Sequence, residues 1–254
     1  MGLIKITNQY LPGVSWVNAN ECGFKVNDTT DVWRINISLN IALLDYFTTV
    51  LNENELVKAN RYFQTKDKNR FIVSRGALRI LLGQYLNYSP SAIIFGIGVN
   101  KKPYIKTPED VNLHYNISHS GDWILIAIAA SAIGADVEFV NPSFNFNDIL
   151  EDNFSAAEIS YIKQTSSVER FFMTWTRKEA LTKATEKGLD QDLKLIPGLD
   201  GENYIDSIIA ASANNWLINS FPVSDTYVAS IANNLSAKKL MFWNADFNYL
   251  RNIS

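Results

Sequence analysis

WILIAIAASAIGADVEFV, residues 123–140, is the stretch on which the reading of the fold turns. It contains the longest apolar run of the chain, WILIAIAASAIGA, but that run is too short for a bilayer, which takes about 20 residues to cross as a helix. Small residues at Ser131 and Ala132 suit a tight turn, so the stretch reads as two strands joined in a buried hairpin. Side chains alternate along a strand. In the second strand Ala135, Val137 and Phe139 therefore share one face, and Asp136 and Glu138 share the other. Two like charges side by side repel unless solvent or a cation separates them. The residues leave two readings open here: a solvated outer face, or a site for a hard cation such as Mg²⁺, which takes carboxylate and phosphate oxygens.

Working outward, helices and strands fall in groups. Residues 52–63, NENELVKANRYF, open with a capping Asn, and residues 66–86 carry apolar positions Ile72, Leu78, Leu81, Leu82 and Leu86 at helical spacing. Residues 147–165 and 168–189 also read as helical. Residues 32–40, 204–212, 216–223 and 226–234 read as strands, and the polar stretch VNLHYNISHSGD before the hairpin reads as a loop. Such grouping predicts an α+β fold. A boundary near residues 131–134 predicts an N-terminal half, 1–132, and a C-terminal half, 133–254.

Composition narrows the function. The chain has 254 residues, is 47% hydrophobic and 19% charged, and so can bury a sizeable core. Its net charge of −3, from 23 basic and 26 acidic residues, argues against a nucleic-acid partner, which requires a basic face. One cysteine, Cys22, forms no internal disulfide, and with two histidines it is too little for a clustered zinc site. The N-terminal residues lack the apolar core of a signal peptide, so the expected address is the cytoplasm, with no membrane association.

Three further constellations carry possible chemistry. In WTRKEALTKATEKGL, residues 175–189, Glu179 precedes Lys183 by one helical turn, a pairing worth roughly 0.2–0.5 kcal/mol as a surface ion pair. Trp175 lies on the same face, and a large aromatic argues for burial of that face. A partly buried Glu–Lys pair calls for another partner, a metal or a phosphate. NISHSGD, residues 116–122, offers Ser118, His119 and Ser120 as donors to an anion; no G-x-S-x-G elbow accompanies them to suggest a hydrolase. Arg61, Arg70, Arg75, Arg79, Lys101 and Lys102 precede that stretch. Arg70 and Arg79 read as helix-solubilising residues, whereas Lys102, held before a proline, has a narrowed direction.

Taken together, KKPYI (101–105), YNISHSGD (115–122), GADVE (134–138) and WTRKEALTKATEKGL (175–189) resemble, in order and spacing, the motifs of the Sfp-type 4′-phosphopantetheinyl transferases. That family's pattern runs G-K-P, F-N-x-S-H-S-G, G-[IV]-D-[IV]-E and W-[ST]-x-K-E-[AS]-x-x-K-x-x-G-x-G-L. Residues 61–86 are similar to its R-x-F…D…R…L-R-x-L-L helix, and the likeness spans about residues 58–234. Lys101 stands where the family has Gly, Ala135 where it has Ile or Val, and Glu186 where it has the first Gly of G-x-G.

The resemblance implies two similar α+β halves related by a pseudo-twofold, with the site in the cleft between them and the whole acting as a monomer. It implies that coenzyme A donates its phosphopantetheine arm to a serine of an apo acyl or peptidyl carrier protein, releasing adenosine 3′,5′-bisphosphate. It implies that Asp136, Glu138 and Glu179 hold Mg²⁺, or Mn²⁺ in its place. Glu179 would serve as base, and Lys183 would stabilise or protonate the departing phosphate. Arg61, Arg75, Lys102, Ser118 and His119 would hold the coenzyme, and Trp175 would pack the helix against the sheet. The competing expectations are a non-catalytic module that binds coenzyme A or carrier proteins, and an unrelated Mg²⁺-dependent phosphotransferase or nuclease.

Overall fold

The apolar alternation of the strands builds two five-stranded sheets. A computed structural model describes residues 2–188, 193–234 and 239–247. Its strands are β1 (Leu3–Tyr10), β2 (Val17–Asn18), β3 (Thr29–Asn36), β4 (Ile94–Ile97), β5 (Pro103–Thr107), β6 (His114–Ser120), β7 (Trp123–Ala129), β8 (Ile133–Phe139), β9 (Gly201–Asp206), β10 (Trp216–Ser224), β11 (Tyr227–Asn234) and β12 (Lys239–Asn244). One sheet runs β6-β7-β3-β12-β2 and the other β8-β11-β10-β1-β9, while β4 and β5 form a separate hairpin. Counted from β6 and from β8, each sheet begins with two antiparallel pairings followed by a parallel one. The chain is α+β, as the grouping of elements predicts.

The sheets do not follow the division at 132/133 strand by strand. β1 lies between β9 and β10 in the sheet built from the later part of the chain, and β12 lies between β2 and β3 in the sheet built from the earlier part. The residues beyond Asn234, which have no counterpart in the motif pattern, thus supply β12. Nor do β7 and β8 form a hairpin: β7 pairs with β3 and β6, and β8 pairs with β11. Residues 130–132 step from one sheet to the other. A fully apolar β7 has two buried faces to satisfy, which a hairpin turn does not reveal.

Those faces define the layers. Ile124, Ile126 and Ile128 of β7 join the core beneath the long helix Thr65–Leu86, together with Leu78 and Leu82 of that helix. Leu125, Ala127 and Ala129 face the other way, against Ala135 and Val137 of β8 and Ala229 and Ile231 of β11. The shared core thus lies between the sheets. Each fully buried Leu, Ile or Val contributes roughly 1.5–3 kcal/mol. The helices are α1 (Ile37–Asn40), α2 (Leu44–Thr49), α3 (Glu53–Asn60), α4 (Thr65–Leu86), α5 (Asn147–Asn153), α6 (Ala156–Ile162), α7 (Ser167–Thr185) and α8 (Ser207–Ala210). Asn52 caps α3 in a capping box with Glu55. The predicted helix over 147–165 is two helices, because Ser155 opens a second capping box with Glu158.

The predicted strand over 32–40 starts earlier, at Thr29, and gives way to α1 at Ile37, where Asn36 caps the backbone of Leu39. The strand predicted over 204–212 turns into α8 after Asp206 caps the backbone of Ile208. α7 ends at Thr185, with Glu186 in the left-handed region at φ 59°, so it does not run to the expected Leu189, which lies outside the described residues. α7 rests directly on β8: a Cβ on Gly134 would stand 1.9 Å from the Ala180 carbonyl oxygen. Glycine is required there for close approach.

Candidate active site

The stretch that reads as a loop, residues 111–122, is mostly strand β6, and its polar residues have partners. Asn116, Ser118 and Ser120 occupy alternate positions and point together at the free edge of β8. Asn116 Oδ1 accepts from the Ala135 amide (3.0 Å), Ser118 Oγ from that of Val137 (3.4 Å) and Ser120 Oγ from that of Phe139 (3.0 Å). The two sheets therefore meet edge to edge through side chains, which satisfy amides that an edge strand leaves open. Gly121 turns the chain at φ 53°, packed against the Tyr227 hydroxyl, which accepts from the Asp122 amide.

The same seam carries the acidic residues. On β8, Asp136 and Glu138 share the face toward α7, which brings Glu179 and Lys183 opposite them. Asp136 is 3% exposed, and its Oδ1 accepts from Ser118 Oγ (2.8 Å) and from Lys183 Nζ (2.6 Å). Glu138 Oε2 accepts from Ser120 Oγ (2.8 Å). Lys183 Nζ is 3.9 Å from Glu179 Oε2, so its first partner is Asp136 and the i,i+4 contact is secondary. Asp136, Glu138, Glu179, Lys183, Trp175, His119, Arg75 and Lys58 all line one cleft of about 420 Å³. Trp175 stacks on Phe171 and lies near Phe154, so it packs against aromatics of α7 itself and of the residue following α5, with its other side on the cleft.

Burial and neighbouring charge in the cleft shift Glu179, Glu138 and Lys183. Burial, then the Asp136 and Glu138 charges, push Glu179 up to about 7, against partial relief from Lys183. Glu138 is raised by burial and by Asp136, and is held down in part by the Ser120 hydrogen bond. Burial works against the Lys183 ammonium, but Asp136, Glu179 and Glu138 outweigh it and hold the group charged. Asp136 Oδ2 is buried without a hydrogen-bond partner. Among the described residues no three His, Cys, Asp or Glu side chains stand close enough together to hold a metal ion as they lie; the ammonium of Lys183 sits between Asp136 and Glu179. The donor set nonetheless fits a hard cation. It brings three carboxylates together, with oxygen ligands only and a buried lone pair unused.

The residues expected to hold an anion divide into three groups. His119 and Arg75 line the carboxylate cleft. His119 is kept toward its neutral form by burial and by the Arg70 charge. Arg75 lies 3.7 Å from Glu55. Lys102 lines a neighbouring cavity of about 220 Å³ that shares Ile117 and Lys183 with the cleft, where it is 3.7 Å from Glu186. Burial pulls its pKa down. Ser118 lines the cleft but gives its proton to Asp136, so it is not a free donor. Arg61, the C-terminal cap of α3, is exposed and lines neither cavity.

Two solubilising roles expected from sequence come out differently. Arg70 does pair at the surface with Asp67 (2.8 Å). Arg79 is fully buried, bonded to Glu55 (2.7 Å) and to the Pro90 and Ile93 carbonyls. Its helical position faces the core, so it anchors α3 and the turn after α4. In the WTRKE stretch, Arg177 and Lys178 are also buried. Arg177 bonds Ser220, the Gly198 carbonyl and Asp200, and Lys178 bonds Glu158 (3.0 Å) and the Leu193 carbonyl. They fasten the segment 193–200 to α7. Sequence reasoning left out Lys58 as a site residue and the pairing with Glu138 of Ser120, which it offered as a donor to an anion. The period-two spacing of Asn116, Ser118 and Ser120 was the signal for the latter.

Comparison with known proteins agrees with this architecture. Residues 132–232 match the family described as the 4′-phosphopantetheinyl transferase superfamily, and residues 42–131 match its N-terminal counterpart, 4′-phosphopantetheinyl transferase, N-terminal. A putative 4′-phosphopantetheinyl transferase of Synechocystis is 29% identical over 201 residues, covering 75% of this chain and 82% of that protein. The 4′-phosphopantetheinyl transferase HetI of Nostoc is 30% identical over 169 residues, covering 65% and 71%. The 4′-phosphopantetheinyl transferase Sfp of Bacillus subtilis is 28% identical over 150 residues, covering 58% and 65%. The chain belongs to the 4′-phosphopantetheinyl transferase family. It is an enzyme that transfers the phosphopantetheine arm of coenzyme A to carrier proteins. Among the described residues, no helix is long and apolar enough to cross a membrane.

Proposed function

We propose that the cleft at the seam of the two sheets is where transfer takes place, with Asp136, Glu138 and Glu179 as the ligands of Mg²⁺, or of Mn²⁺ in its place. The observation that carries this reading is the convergence of three carboxylates from β8 and α7 on one cleft, with Asp136 Oδ2 unpartnered. Bound there, the cation would neutralise charge on the pyrophosphate oxygens of coenzyme A. The serine hydroxyl of the carrier attacks the phosphorus that bears the arm. The phosphorus–oxygen bond to the nucleotide breaks, and adenosine 3′,5′-bisphosphate leaves with the bonding pair. Glu179, which lines the cleft beside Asp136 and Glu138, takes the serine proton.

Lys183, held protonated by its carboxylate neighbours, supports Asp136 and offers positive charge to the departing phosphate; the same raised pKa disfavours it as proton donor. His119, Arg75 and Lys102 face the space where the coenzyme's phosphates would lie, and Arg61 stands outside it. On this reading Ser118 serves the carboxylates rather than the coenzyme. The carrier is an apo acyl or peptidyl carrier protein, and the enzyme works as a cytoplasmic monomer organised as halves 1–132 and 133–254, with β1 and β12 exchanged between sheets. The non-catalytic alternative has no support among the relatives, which are named as transferases. The test is removal and return of the metal. Dialysis against EDTA abolishes transfer, Mg²⁺ or Mn²⁺ restores it, and Asp136→Asn raises the concentration needed. Full transfer after chelation would remove the cation from the mechanism.

A further inference from the structure

Strand β6 does two things at once at the seam. Ser118 and Ser120 accept the β8 amides of Val137 and Phe139, and each then has one hydroxyl proton to give. Both give it to a carboxylate on β8: Ser118 to Asp136 and Ser120 to Glu138, each at 2.8 Å. The unit amide–hydroxyl–carboxylate occurs twice, two residues apart, in the register of the strands. The two copies differ in what Lys183 adds: it also donates to Ser118 Oγ at 3.4 Å. Asp136 is also held by Lys183 at 2.6 Å, whereas Ser120 gives the one hydrogen bond that the Glu138 side chain receives among the described residues.

We propose that Ser120 is a positioning residue for the cation site, fixing the Glu138 carboxylate from the opposite sheet before any cation arrives. The inference rests on reading Asp136, Glu138 and Glu179 as cation ligands. A glutamate has three side-chain torsions, and ordering them on binding weakens affinity. Hydrogen bonds to ligating groups from a second layer of residues are typically worth about 10–100-fold in metal affinity. Because the donor and the ligand sit on different sheets, any opening of the seam also loosens the site.

The test uses the near-isosteric pair Ser120→Thr and Ser120→Val in the full chain without coenzyme A, with Ser120→Ala as a second hydroxyl-free variant should Val disturb the strand. Mn²⁺ binding is read by electron paramagnetic resonance, and folding by thermal melting in the same buffer. Glu138→Gln is the control for the ligand itself. The expected result is Mn²⁺ affinity near wild type for Thr, a loss of about tenfold or more for Val and Ala, a larger loss for Glu138→Gln, and similar melting temperatures for Thr and Val. Equal affinity for Thr, Val and Ala, with Glu138→Gln weakened, would overturn the positioning role and leave the cation reading standing. Unchanged affinity in Glu138→Gln as well would overturn both.

Discussion

The pKa of Glu179 gives stability a pH dependence of definite sign. The carboxyl is held at about 7, against 4.5 for the free side chain, chiefly because burial and the Asp136 charge disfavour its ionised form. The folded protein therefore keeps a proton on Glu179 through a window in which the unfolded chain has lost it. Where the native state binds more protons, stability falls as pH rises. The contribution of the neutral form is fully present below 4.5 and is lost as pH rises through 7. At 1.36 kcal/mol per unit, the full penalty is about 3 kcal/mol, and the part that develops between pH 5 and pH 8 is about 2.5 kcal/mol. Glu179→Gln removes the titration while keeping shape. In urea denaturation without divalent cations, it should gain stability over wild type as pH goes from 5 to 8, by about 2 kcal/mol. Saturating Mg²⁺ should restore much of the wild-type stability at pH 8, since a ligand of the native state alone stabilises it. A wild-type-minus-variant difference that stays flat from pH 5 to pH 8 would refute the claim that the cleft strains this carboxylate.

Three further outcomes follow from the buried contacts. Lys178→Met strands Glu158 at 2% exposure, although the Gly198 and Ser155 amides still bond it, and should cost about 3–5 kcal/mol in urea denaturation; Glu158→Gln with Lys178→Met should recover most of that. Gly134→Ala forces a methyl into the Ala180 carbonyl and should destabilise by about 1–3 kcal/mol while separating β8 from α7, so transfer rate falls together with melting temperature. Lys101 and Glu186 both hold positive φ, at 63° and 59°, so Lys101→Gly and Glu186→Gly should each stabilise by about 1 kcal/mol, read as a higher melting temperature.

Those last two residues show what a motif can tell. They are the places where this chain departs from the family's glycines, and both lie in the backbone region that glycine prefers; the departures cost strain and remove no catalytic group. The local geometry of the site was legible: alternation on β8 puts Asp136 with Glu138, and a helical turn puts Glu179 with Lys183. What joins these two pairs was not. The bond from Lys183 to Asp136 crosses 47 positions of sequence, and the bond from Ser118 to Asp136 crosses 18. Polar composition made β6 look like a loop, because strands with hydrogen-bonded polar faces lack the usual apolar alternation. Arg79 looked like a surface residue because charge type outweighs position when burial is unknown. The exchange of β1 and β12 rests on pairings more than 200 residues apart, Ile6 with Trp216 and Leu240 with Thr30, which no local pattern encodes.

The central claim is tested most directly by the intact mass of an apo carrier protein after incubation with this enzyme, coenzyme A and Mg²⁺. The account predicts a gain of one phosphopantetheine arm on wild-type carrier, no gain when its acceptor serine is replaced by alanine, and none when Asp136→Asn replaces the wild-type enzyme at limiting Mg²⁺. An unmodified carrier in every case, across acyl and peptidyl carriers and with coenzyme A bound, would contradict it.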